Sequence, residues 1–296
     1  MRALLAFALL FCSLISLAAP AIAEPVDQAG WAARKQRVTL PNGVTLAYVE
    51  MGDPRGRPVL LLHGFTDSSR TWSLLAPHIA SGNRLLILDQ RGHGASDRPA
   101  CCYSPADFAA DALLFLDAMR VGRASVVGHS LGSMVAQRLA ADHPDRIEAI
   151  ALVASTALAP VTRGDWLWEQ VNALREPIAS NRAFLAQWSF GASPTPVDAT
   201  FVRFADAEAQ AVPLHVWRAV PRELVGLPIA RHAADVRARV LILSGGRDEL
   251  FPAEHHASLV AAYPRAEARV FPELGHNLIG EQPERVGPVL AAFLGR

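Results

Sequence analysis

Cysteine is scarce in this chain: among 296 residues there are three, Cys12, Cys101 and Cys102. Cys12 falls in an apolar N-terminal stretch, so the remainder holds one adjacent pair, which excludes a conventional disulfide framework and offers no zinc spacing. Neighbouring Cα atoms stand about 3.8 Å apart, short of the usual reach of a disulfide. Two free thiols are therefore the first expectation, with a vicinal bridge in an oxidising compartment as the alternative. Net charge is lacking too, because 28 Lys and Arg balance 28 Asp and Glu. Without a net field there is no long-range pull toward nucleic acid or an anionic membrane, which leaves small, mostly uncharged molecules as the fitting partners. Neither H-E-x-x-H nor G-x-x-x-x-G-K-[ST] occurs, so the sequence points to no cofactor and no metal. Internal repeats and low-complexity tracts are absent beyond the N-terminal stretch, and nothing marks an oligomeric state.

Residues 1–23 read as a secretory signal, with Arg2 as the positive start, an apolar stretch over 3–17 and Ala21-Ile22-Ala23 as a small-x-small cleavage site. The expected mature chain begins at Glu24, is periplasmic or secreted, and has no stable membrane association after cleavage. An uncleaved anchor is the competing reading, but the apolar run is short of the roughly 20 residues that span a bilayer. A lipoprotein fits poorly because Cys12 follows Leu10-Phe11 instead of small residues.

The rest is long enough for one large α/β domain. Residues 37–40 and 45–50 flank Pro41-Asn42-Gly43, where Asn-Gly supplies the positive φ of a hairpin. Continuous apolar runs follow at 59–62, 85–88, 124–127 and 149–153, the pattern of parallel strands covered on both faces. Helical stretches lie between them; the clearest starts at Ser104-Pro105-Ala106-Asp107, a capping box with proline in the first turn. Strand–helix alternation gives a mostly parallel, doubly wound sheet. From about 157 to 237 the alternation fails and aromatic residues gather, including Trp166, Trp168, Trp188 and Trp217, which reads as a helical cap inserted in the domain over 24–296. These tryptophans either line an apolar pocket or pack the cap. Alternation resumes with a strand at 240–243, a helix at 253–262, a strand at 268–271 and a closing helix at 283–294.

Gly128-His129-Ser130-Leu131-Gly132 directly follows an apolar strand and precedes the helical pattern of 134–141. In that context G-x-S-x-G describes a strained strand-to-helix turn that exposes a serine hydroxyl at the positive end of a helix. A hydroxyl is a weak nucleophile and needs an oriented base. Asp248, in Gly245-Gly246-Arg247-Asp248 at the end of a strand, is the candidate acid, with Glu249 as its competitor. His276 is the candidate base, since it follows Asp248 on a loop after a strand. His255 and His256 sit in a helix and are expected to face solvent; His63, His93, His129 and His143 read as structural, with His63 and His93 able to border the site. Backbone N–H groups of Phe65, in the loop His63-Gly64-Phe65, and of Leu131 are the candidate oxyanion donors.

With these pieces and Asp89-Gln90-Arg91-Gly92-His93-Gly94-Ala95-Ser96, the chain resembles the α/β-hydrolase superfamily from about Gln36 to its end. It looks like the compact, capped group that includes carboxylesterases, enol-lactone hydrolases and carbon–carbon bond hydrolases. The resemblance implies a Ser130–His276–Asp248 triad acting on a small ester or lactone. Two alternatives are carried with it: carbon–carbon cleavage by the same triad, and a hydrolase-like protein that binds a small molecule without turnover. Dehalogenases and epoxide hydrolases of similar fold carry aspartate at the nucleophile, and Ser130 argues against both.

Overall fold

The computed structural model describes residues 26–296, so the expected signal segment and its cleavage site lie outside the described residues. Eight strands form one sheet in the order β1-β2-β4-β3-β5-β6-β7-β8. Strands β1 (Gln36–Thr39) and β2 (Thr45–Gly52) make the antiparallel hairpin, in which Val38 pairs with Leu46, and β2 also runs antiparallel to β4 (Asn83–Asp89). From there the sheet is parallel through β3 (Arg57–Leu62), β5 (Ala124–His129), β6 (Ile147–Val153), β7 (Arg239–Gly245) and β8 (Glu267–Phe271). Leu60, Leu61, Leu86, Ile87, Val126, Val127, Ile150 and Leu152 are fully buried, as continuous apolar strands covered on both faces require. At the free edge β8 is exposed over all but Phe271.

Helices cover both faces. Among the described residues, α1 (Ala76–Ile79), α2 (Pro105–Ala118) and α3 (Leu131–Asp142) precede β6. Ser104 caps α2 with the full reciprocal box to Asp107. Between β6 and β7 the described chain forms no strand; it runs through α4 (Trp166–Ala173), α5 (Arg182–Trp188), α6 (Ala199–Gln210) and α7 (Leu214–Leu224) with short 3-10 turns. Finally α8 (Ala253–Ala262), α9 (Leu278–Glu281) and α10 (Pro283–Leu294) close the domain. No described helix is long and apolar enough to cross a membrane.

Trp217 is fully buried, and its ring meets Phe184 at 5.7 Å and Phe65 at 5.3 Å, so it packs the helical insertion onto the loop after β3. Cys101 and Cys102, expected first as free thiols, are joined by a disulfide across Cα atoms 3.8 Å apart. The bridge lies in the exposed loop before α2, where Cys102 takes a φ of 75°.

The sheet order reverses at β3: the chain moves from β3 to β4 on one side and returns to β5 on the other. Loops leaving the C-terminal ends of two strands diverge at such a point and leave a crevice between them, which is where ligands bind in open α/β sheets. Here those loops start at His63 and at Ser130.

Candidate active site

Ser130 stands alone between the end of β5 and the start of α3, at φ 51° and ψ −118°. A non-glycine residue there is strained, and it persists because its surroundings over-determine it. Its N–H donates to the Val153 carbonyl at 3.0 Å, and its own carbonyl accepts from Ser133 N at 2.9 Å and Ser133 Oγ at 2.5 Å. The flanking glycines make the turn possible. A Cβ on Gly128 would strike the Gly132 carbonyl, and one on Gly132 would strike the Leu62 carbonyl. Leu131 begins α3, so its N–H is one of the first-turn donors that a helix leaves unpaired.

His276 lies on the loop after β8. Its Nδ1 donates to Asp248 Oδ2 at 2.9 Å and lies 3.1 Å from Oδ1, which directs Nε2 away from the carboxylate. Asp248, at the end of β7, also accepts from the N–H groups of Leu250 and Phe251, both at 2.9 Å. Burial alone pushes this carboxyl upward, but the facing His276 ring and the Phe251 and Leu250 amides outweigh it and hold it below the usual carboxylate range. Phe251 packs edge-on against the imidazole at 5.0 Å. Glu249 points elsewhere: it is exposed at the rim of the cavity.

A cavity of about 670 Å³ opens over these groups, and its wall includes Ser130, His276, Phe65, Asp67, Trp166 and Trp188. The structure thus brings Ser130, His276 and Phe65 to one space, with Asp248 behind His276 and Leu131 beneath Ser130. Of the four tryptophans in the insertion, Trp166 and Trp188 line this space, while Trp217 is packing. Trp188 Nε1 donates to Thr66 Oγ1 at 2.8 Å, which ties the insertion to the loop after β3. A family model for the alpha/beta hydrolase fold matches residues 57–283, spanning β3 to β8, the Ser130 turn and the Asp248 and His276 loops.

The chain belongs to the alpha/beta hydrolase fold family. This hydrolase is 28% identical over 258 residues to a 2-hydroxymuconate semialdehyde hydrolase of Pseudomonas sp. (strain CF600), covering 81% of this chain and 87% of that one. It is 27% identical over 247 residues to an esterase of Escherichia coli (strain K12), covering 80% and 92%. Among solved structures, a hydrolase from Pseudomonas aeruginosa PA01 matches with a TM-score of 0.78 at 26% identity, across 90% of this chain and 100% of that one.

Several residues besides Ser130, His276 and Asp248 hold the hydrolase's site in shape: Glu281, which the sequence did not single out, and His63, His93 and His129, which it reads as structural. Glu281 is buried in α9, accepts from Gly275 N at 2.9 Å and takes the Thr195 hydroxyl at 2.6 Å, so it fastens the His276 loop to the insertion. His129 donates from Nε2 to the His276 carbonyl at 2.9 Å, and burial with the nearby His276 pushes its pKa down to about 3, so it stays neutral. His63, also lowered to about 3 by burial, donates from Nδ1 to the Gly64 carbonyl at 2.7 Å and accepts at Nε2 from Gln90 N at 3.0 Å. It pins the loop that carries Phe65. His93 packs 5.2 Å behind it; both are fully buried, and neither is part of the cavity wall. His255 and His256, expected in solvent, are instead half-buried: their Nδ1 atoms meet Thr156 Oγ1 at 2.7 Å and Ser244 Oγ at 2.8 Å. The helix face that carries them is turned toward the ends of β6 and β7, a docking that helical spacing alone does not disclose.

Proposed function

We propose that this hydrolase cleaves a carboxylic ester or lactone of a small, largely apolar substrate through an acyl-enzyme. Ser130 Oγ attacks the carbonyl carbon while His276 Nε2 takes its proton, and Asp248 holds the imidazole in the required tautomer and stabilises the imidazolium. The N–H groups of Phe65 and Leu131 receive the negative charge that develops on the carbonyl oxygen. Collapse expels the alcohol with the proton from His276; water, activated by the same base, then releases the acid and restores Ser130. The observation that carries this reading is the shared cavity: a serine on a strained turn faces the same space as a histidine whose Nδ1 is locked by a carboxylate. Trp166 and Trp188 supply apolar surface for the substrate's non-reacting part.

Carbon–carbon cleavage by the same three residues is the second reading, and the likeness to a 2-hydroxymuconate semialdehyde hydrolase favours keeping it. A panel of short- and long-chain esters, lactones and ring-fission dienones, assayed with the wild type and Ser130→Ala, separates the two. Esters or lactones are expected to be turned over, with Ser130→Ala folded but inactive and with a fluorophosphonate modifying Ser130. Faster turnover of dienones transfers the assignment, and wild-type rates in Ser130→Ala remove Ser130 from the mechanism. We also propose that the protein is exported and begins at Glu24; N-terminal sequencing of material recovered outside the cytoplasm tests this, and an intact Met1 start in membranes overturns it.

A further inference from the structure

Asp67 is a carboxyl group that the proposed reaction does not use, yet it shares the cavity wall with Ser130 and His276. The loop after β3 puts it there. Thr66 turns the chain at φ 67°, and the Asp67 N–H returns to the Gly64 carbonyl at 3.3 Å. Gly64 gives the measure of the crowding: a Cβ built on it would meet Asp67 Oδ2 at 2.9 Å, His129 Nδ1 at 3.2 Å and Ser130 Cβ at 3.3 Å. A carboxyl, a buried imidazole and the nucleophile's own side chain therefore converge on one point.

His129 decides what this carboxyl faces. Because its Nε2 hydrogen is committed to the His276 carbonyl, Nδ1 bears a lone pair, and that buried atom has no partner among the described residues. It stands 3.9 Å from Asp67 Oδ2. An ionised Asp67 would oppose one acceptor to another there, whereas a protonated one offers a donor to the cavity. The other groups acting on Asp67 are the Thr71 hydroxyl, the His276 ring, the Gly64 backbone and Glu208 of α6, whose carboxylate is engaged by Arg70 at 2.7 Å. Burial is the largest influence; it outweighs Thr71 and His276 and pushes the carboxyl up to about 7. Arg247 and Glu249, of opposite charge, stand exposed on the cavity's outer wall, where solvent screens them.

Building on the serine-hydrolase reading above, we propose that Asp67 is a specificity-determining residue of this cavity: as a neutral acid it donates a hydrogen bond to an oxygen of an uncharged substrate, and as a carboxylate it rejects substrates whose acyl group carries an anion. The second half follows from Coulomb repulsion across a space partly shielded from water, where like charges interact several times more strongly than in bulk solvent. Ionised Asp67 also opposes the charge that grows on the carbonyl oxygen beside Ser130. Turnover of a neutral ester is thus expected to fall as pH rises through about 7, and discrimination against an anionic ester to grow over the same range.

The test uses the whole mature protein and two esters with the same leaving group, p-nitrophenyl butyrate and p-nitrophenyl hemisuccinate. Their kcat/KM values are measured between about pH 5.5 and 9 in the wild type, Asp67→Asn and Ser130→Ala. Asparagine keeps the shape and a donor but cannot ionise. The variant is expected to lose the alkaline fall and to raise hemisuccinate turnover relative to butyrate at least about tenfold above pH 7.5. In the wild type alone, the butyrate-to-hemisuccinate ratio is expected to rise with pH, which needs no variant to fold. A flat ratio in the wild type, or an Asp67→Asn enzyme with the same preference and the same alkaline limb, overturns the role of Asp67 and leaves Ser130 untouched. An active Ser130→Ala, or a wild type inert toward both esters and unlabelled by fluorophosphonate, overturns the underlying reading as well.

Discussion

At the scale of single residues, the sharpest contrast lies between two adjacent carboxylates. Asp248 meets His276 Nδ1 and two backbone N–H groups, whereas Glu249 stays exposed at the rim. Asp248→Asn is expected to lower kcat by as much as about 10⁴ with the fold intact, since an amide facing Nδ1 favours the wrong tautomer. Glu249→Gln should change kcat by less than about tenfold, or about 1.4 kcal/mol. Steady-state kinetics on the purified variants checks both, and the reverse ranking moves the acid's role to Glu249. Ser130 was legible because a glycine pair around a serine, set between an apolar strand and a helix, admits few other geometries. Asp248 was the sequence's choice of acid, but Glu249 stayed its competitor because either side chain follows the same glycine turn. Asp67 and Glu281 were illegible for a different reason. Each acts on a group brought near by the fold, as Glu281 does on Thr195 of the insertion, and an isolated polar residue carries no periodic signal that announces such a partner.

At the scale of elements, turn chemistry and strand continuity read well, while docking between elements did not. Helix α8 spans Ala253–Ala262 as its pattern predicts, and the hairpin pairs Thr39 with Thr45 around Asn42-Gly43. What α8 faces was hidden, because the Thr156 and Ser244 contacts of His255 and His256 join it to two different strand ends. The strand-to-helix element around Ser130 yields a packing prediction. Gly132→Ala drives its Cβ into the Leu62 carbonyl, where backbone cannot yield without moving β3, so a loss of at least about 2 kcal/mol is expected. Gly122→Ala has open space and should be within about 0.5 kcal/mol of the wild type, or slightly more stable. Urea midpoints of the two variants measure the difference, and equal midpoints would contradict the close approach of α3 to β3.

For the whole molecule, burial of ionisable groups sets the dependence of stability on pH. His63, His93 and His129 are held by burial at about 3, 4 and 3, far below the value of about 6.5 that each regains on unfolding. Below about pH 6.5 the unfolded chain therefore binds more protons than the folded one, and stability falls as pH falls. Asp67, raised to about 7, binds its proton first in the folded state and offsets one histidine. The net of about two protons corresponds to about 3 kcal/mol per pH unit in the middle of that window. Urea unfolding at about pH 7 and pH 5 is expected to show the loss, and equal or greater stability at pH 5 would contradict the neutral buried histidines.

The helical insertion leaves the sheet after Val153 and returns at Arg239, and its entry and exit segments are hydrogen-bonded to each other: Ala159 N–H donates to the Leu227 carbonyl at 3.0 Å and Ala230 N–H to the Ala157 carbonyl at 2.9 Å. The part between these bonds thus starts and ends at one place, so lengthening or replacing it adds little loop-closure entropy and shifts no strand register. The insertion is in that sense a cassette: another roof over the cavity can be grafted at the same two joints while the floor that carries Ser130 is kept.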